Sequence, residues 1–171
     1  MATYNKIIKL LTKNNIQYKE FRHEPVKTSA EAALVRDDIS IEQGAKALIV
    51  SYKKNLELSP PLNNSKLPVD KSFAMIVVPG DRRFDSKKVR KILGVSKLSF
   101  ASEQEVFDIT NGVIPGGVPP FGNIFGIKTI VEQSLLNHDQ IAFNAGDRAI
   151  SIVMGSQDWL NLVNPEVQEV T

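Results

Sequence analysis

AKALIVSY, Ala45–Tyr52, is a run of small, β-branched and aromatic residues in which Lys46 is the only charge. It predicts a central β-strand. FAMIVVP, Phe73–Pro79, has the same character and predicts the strand that pairs back on it. The intervening Lys54–Lys71 carries Pro60, Pro61, Pro68 and the pair Asn63-Asn64, which predicts a long hairpin loop or surface insertion.

Working outward from this pair, helices announce themselves by their caps. Tyr4, Ile7, Ile8 and Leu11 recur at helical spacing, with Thr3 as the expected N-cap and Asn14-Asn15 as the stop. Ile16–Phe21 reads as a strand. TSAE, Thr28–Glu31, is a capping box, so a helix is expected to about Arg36. A second box, SIEQ at Ser40–Gln43, starts a short turn that Gly44 stops. Asp85 caps a helix with the apolar stripe Val89, Ile92 and Leu93, ended by Gly94. SEQE at Ser102–Glu105 starts another helix. IFGI, IAFNAG and AISIVM supply further strands, and Ser156 caps a last helix with Trp159, Leu160 and Val163, ended by Pro165. The pattern is that of one α+β domain over residues 1–171, with an extensive sheet and helices packed around it.

The totals narrow the chemistry. The 171 residues are 42% apolar and 23% charged, an ordinary globular balance. Cysteine is absent and only His23 and His138 could supply imidazole, so thiolate catalysis, disulfides and most zinc sites are excluded. No metal or cofactor is expected. No apolar run approaches 18 residues and no signal-peptide core opens the chain, so the expectation is a cytoplasmic protein without membrane contact. A net charge of +2 and a pI near 8.8 permit a nucleic-acid partner without demanding one.

Four segments could carry function. Lys46 stands at the mouth of an apolar strand, where its ammonium either snorkels outward or faces a cleft that holds something anionic. GVIPGGVPPFG, Gly112–Gly122, packs four glycines and three prolines into eleven residues. Such a loop is either structural, with Pro119-Pro120 a candidate for a cis bond, or a stiff cradle of backbone N–H groups for an oxyanion or carbonyl. It lacks the Gly-Lys-Ser/Thr ending of a nucleotide-phosphate loop. FNAGDRAISI, Phe143–Ile152, reads as a turn between strands, with Asn144 and Asp147 as turn formers and Asp147 and Arg148 as a solvated pair. RRFDSKKVRKILGVSK, Arg82–Lys97, sets seven basic residues against one acid, with Lys87, Arg90 and Lys91 on the face opposite the apolar stripe. That face is either solvated or suited to phosphate contacts. His23 is expected to make a structural hydrogen bond at a strand end.

HEP with TSAEAA after it, then GAKALIV, GVIPGGVPPFG and FNAGDRAISIVM, resemble in this order the YbaK/ProX family of aminoacyl-tRNA deacylases. The resemblance runs from about Ile7 to Val163. It implies a curved mixed sheet, partly barrel-like, with flanking helices. Family members stand alone or lie within prolyl-tRNA synthetase, and at this length a free-standing protein is expected. The resemblance further implies hydrolysis of wrongly attached small amino acids from tRNA, with Lys46 in the family's catalytic position. Gly116, Gly117 and Val118 would form the substrate loop, and Thr28, Asn144, Gly146 and Ser151 the rest of the pocket. Thr28 and Ser151 depart from one branch's tyrosine and acidic residue, which speaks against that branch's preference for cysteine. The tRNA acceptor end is the implied partner, with a synthetase as a second candidate, and Lys87, Arg90 and Lys91 as the tRNA face. The competing expectation is a non-catalytic tRNA- or synthetase-binding module of the same fold.

Overall fold

A computed structural model describes residues 2–53 and 71–171. In chain order the elements are α1 (Ala2–Lys13), β1 (Tyr18–Arg22), α2 (Ser29–Leu34), β2 (Ala45–Lys53), β3 (Lys71–Pro79), α3 (Ser86–Leu93), β4 (Leu98–Phe100), α4 (Glu103–Thr110), β5 (Lys128–Glu132), β6 (Gln140–Asn144), β7 (Ile150–Gly155), α5 (Ser156–Val163) and β8 (Glu166–Gln168). The expected insertion lies outside the described residues, apart from its end at Lys71, the first residue of β3.

Two sheets carry the fold. A five-stranded mixed sheet runs β4-β2-β3-β5-β8, and a three-stranded antiparallel sheet runs β1-β7-β6. β2 and β3 pair antiparallel in unbroken register, from Ala45 opposite Pro79 to Lys53 opposite Lys71. Alternation explains why both read as continuous apolar runs. Met75 and Val77 enter the main core, while Ala74, Ile76 and Val78 enter a second cluster with Val89 of α3 and Val170. The large sheet is therefore covered on both faces. In the main core α1 contributes Ile7 and Leu11, the small sheet contributes Ile141, Phe143, Ile152 and Met154, and α5 contributes Trp159.

The α+β class is as expected, but the sheets do not close into a barrel. Between them stands a single parallel bridge, Gly44 to Ala142. β3 takes one edge of β2 along its length and β4 takes the other at Val50–Tyr52, while β6 bridges only to the residue before β2 begins. Other local expectations are corrected. IFGI is not a strand: Gly122–Phe125 is a 3₁₀ turn ended by Gly126 at φ 69°, and the strand is Lys128–Glu132. Thr3 lies inside α1 and donates to the Thr110 carbonyl (3.2 Å) instead of capping. Gly155, not Ser156, is the N-cap of α5. No described peptide bond is cis. Among the described residues no helix is long and apolar enough to cross a membrane.

Candidate active site

Two loops at the end of the small sheet dock on each other. The Gly/Pro loop is anchored from below by Phe121, which is fully buried edge-on against Phe143 with ring centroids 5.3 Å apart. Trp159 adds a hydrogen bond from its indole N–H to the Pro120 carbonyl (2.9 Å). From the side, the β6–β7 turn reaches over with three donors. Asn144 Nδ2 donates to the Gly116 carbonyl (2.7 Å), the Gly146 N–H to the Gly117 carbonyl (2.9 Å), and Arg148 Nε to the Pro115 carbonyl (2.9 Å). Arg148 is thus a loop clamp and not a solvated partner of Asp147, whose carboxylate instead accepts from the Ala149 N–H as a turn former does. Gly116 sits at φ +90°, and a Cβ there would lie 2.9 Å from Arg148 Nε, so the position suits glycine on both counts.

This clamped loop forms one wall of a cavity of about 120 Å³. Gly116, Val118 and Asn144 line it, together with Lys46 and Ala47 from β2, Thr28 and Ala32 from the start of α2, and Arg36 beyond its end. The sequence-predicted residues Lys46, Thr28, Gly116, Val118 and Asn144 therefore meet around one hollow. Gly117 and Gly146 stand behind the lining and hold the two loops together. Ser151, fully buried, does not form the wall but backs Arg36. Among the described residues neither the Gly116 nor the Val118 N–H meets a protein acceptor, whereas the Gly117 N–H is committed to the Ile114 carbonyl (3.0 Å).

The half-buried Lys46 ammonium is held at the rim by the carbonyls of Arg82 (2.6 Å) and Gly80 (3.5 Å), on the turn that leaves β3. The residue lines the cavity while its ammonium stays on these two carbonyls. Burial lowers its pKa from the ordinary 10.5, the nearby Arg83 lowers it further, and Asp81 opposes both. On α3, Lys87 and Lys91 are exposed and lie outside the cavity lining. Arg90 is committed to its own helix and the segment after it, with Nε on the Ser86 carbonyl (3.2 Å) and Nη1 on the Ser96 carbonyl (3.1 Å).

Arg36 has no counterpart in the sequence expectations. It is 6% exposed, and burial pushes its pKa down to about 10. Its Nε donates to Ser151 Oγ (3.0 Å) and its Nη2 to Asn144 Oδ1 (2.9 Å). Behind it, His23 Nδ1 meets the Glu24 carbonyl (2.8 Å), which can only accept, so the proton sits on Nδ1. His23 Nε2 is hydrogen-bonded to Ser151 Oγ (2.8 Å). A continuous chain of hydrogen bonds runs His23–Ser151–Arg36–Asn144–Gly116, from a strand end to the loop.

The sequence profile of the aminoacyl-tRNA editing domain matches residues 23–162. The chain belongs to the aminoacyl-tRNA editing domain family. Relatives at full length agree. The Multifunctional Ser/Thr-tRNA deacylase ProXp-y of Escherichia coli is 28% identical over 167 residues, covering 97% of this chain and 91% of that protein. The Prolyl-tRNA editing protein ProX of Acetoanaerobium sticklandii is 26% identical, covering 95% and 92%. A crystal structure provisionally assigned as a trans-editing enzyme for prolyl tRNA synthetase superposes with a TM-score of 0.77 at 19% identity, over 100% of this chain and 98% of that one, and shares the fold. The family match begins at His23, the far end of the hydrogen-bond chain, and spans every cavity residue named above.

Proposed function

We infer that the protein is an aminoacyl-tRNA deacylase that hydrolyses the ester joining a small, wrongly attached amino acid to the 3′ end of tRNA. The observation that carries this is that Lys46, Gly116 and Val118 line one small cavity, the two loop residues with no protein acceptor for their N–H groups among the described residues. An aminoacyl ester is already activated, so positioning and stabilisation of the developing oxyanion suffice. The loop N–H groups hold the carbonyl oxygen as negative charge grows on it. Lys46, tethered at the rim, meets the terminal phosphodiester. Water adds to the carbonyl carbon and the carbon–oxygen bond to the ribose breaks. One of the water's protons passes to the ribose oxygen, the other to solvent, and the amino acid leaves as its carboxylate. No side-chain nucleophile is required.

The cavity suits alanine, serine or threonine, and the deacylase name of the Escherichia coli relative favours the hydroxyl-bearing pair. Lys87 and Lys91, with Arg82 and Arg83 on the turn beside Lys46, form the face offered to the tRNA backbone. The protein acts in the cytoplasm, as editing of this kind requires, and a synthetase that produces the mischarged tRNA is the natural companion. Release of labelled amino acid from a panel of mischarged tRNAs tests the proposal. Turnover of at least one small acyl group is expected. Salt-sensitive tRNA binding without any release would replace the enzyme with a binding module.

A further inference from the structure

We propose that Arg36 reads the side-chain hydroxyl of the acyl group, making the pocket selective for serine and threonine esters over alanine esters. This rests on the deacylase reading above and adds to it the residue that sets specificity. A guanidinium has five N–H donors. Ser151 and Asn144 take two of them. Among the described residues no carboxylate lies within 4 Å of Arg36, and its Nη1 stands beside Gly44, where a Cβ would lie 3.9 Å from it. Both residues line the cavity, which places a buried cation with unshared donors at its wall.

Depth separates Arg36 from the other cations. Lys27 is exposed and Lys46 half-buried, whereas Arg36 is 6% exposed. In this reading the outer pair takes the phosphodiester and the inner guanidinium the amino acid's side chain. No Asp or Glu lines the cavity. An oxygen on the substrate therefore competes with no carboxylate for the guanidinium's remaining donors. An alanine ester would displace water from these donors and leave them unpaired, the situation in which a site built for a hydroxyl rejects its absence most strongly. Ser151 and Asn144 hold the guanidinium in place.

The test is single-turnover deacylation of one tRNA body charged with serine, threonine, alanine or aspartate. Wild-type protein should favour serine and threonine over alanine by about 10- to 100-fold, the range of a hydrogen bond to a charged group. Arg36→Met should cut serine turnover at least tenfold and leave alanine within about threefold, so the ratio collapses. Ser151→Ala, which loosens the clamp from outside the cavity wall, should lower the same ratio and provides the readout if Arg36→Met does not fold. Equal losses on serine and alanine in a folded variant, or an unchanged ratio in Ser151→Ala, would overturn the assignment. So would wild-type turnover of alanine as fast as serine, or of aspartate faster than serine. Absence of turnover on every ester would instead overturn the deacylase reading beneath it.

Discussion

Asn144→Asp separates the role of the polar chain from its contribution to stability. The substitution keeps the shape of the side chain and exchanges an amide for a carboxylate. Its Oδ1 stays on Arg36 Nη2, and a bond already assisted by the guanidinium's charge becomes an ion pair, a gain of about 1 kcal/mol. The other oxygen replaces Nδ2, 2.7 Å from the Gly116 carbonyl. A bond of about 1 kcal/mol is lost there and two acceptors face each other, so the loop must retreat. The opposing changes leave folding within about 1–2 kcal/mol of wild type, or roughly 5 °C in Tm for a chain of this size. Function does not share that balance. The cavity's inner cation is neutralised, which takes from the substrate hydroxyl a charged donor worth about 1.5–3 kcal/mol, and the retreat of the loop displaces the Gly116 N–H as well, together a factor of roughly 100. We expect a near-normal melting curve with deacylation reduced about 100-fold or more, measured by thermal melting and single-turnover release of serine. Wild-type activity at a normal Tm would refute the claim that Asn144 serves the site, and a Tm loss above 10 °C would refute the claimed balance.

Other perturbations probe separate parts of the account. Binding of an uncharged tRNA minihelix should weaken as pH rises, with a midpoint below the ordinary lysine value of 10.5, because burial disfavours the charged form of Lys46; Lys46→Arg should shift that loss to higher pH. Glu132 is 2% exposed; burial alone would raise its pKa, but N–H bonds from Val170, Thr171 and Ser134 outweigh it and the net shift is downward from 4.5. Its stabilisation is therefore present above pH 4.5 and lost as pH falls through the lowered value, so Glu132→Gln should cost about 1–3 kcal/mol at pH 7 and flatten the acid limb of a denaturation series. Gly116→Ala forces a side chain onto φ +90° and against Arg148, and should destabilise by about 1–3 kcal/mol, more than Gly117→Ala, whose added Cβ would meet nothing nearer than 3.3 Å.

The sequence made some of this legible and hid the rest for physical reasons. β2 and β3 were readable because both faces of the large sheet are buried, which gives continuous apolar runs. The capping box at Thr28 and the caps at Asp85 and Ser102 appear as expected because these are local hydrogen bonds. β4 and β8 went unseen, since three residues carry no periodicity. IFGI misled because its apolar residues face the core from a 3₁₀ turn, set by Gly122, where a Cβ would lie 2.3 Å from Thr129 Oγ1. In the site, Lys46 and the Gly/Pro loop stood out by composition. Arg36 did not, because flanking Asp37 and Asp38 make it look like a solvated charge. Its partners Ser151 and Asn144 come from strands more than 100 residues away. Only the tertiary fold removes the acids from its reach.

The most direct test of the central claim is the single-turnover rate of serine release from mischarged seryl-tRNA by wild-type protein and by Lys46→Ala at equal concentration. With the ammonium gone from the rim, and its strength discounted for partial solvent exposure, the rate should fall about 100-fold while the melting temperature holds. Equal rates for the two proteins would contradict the account.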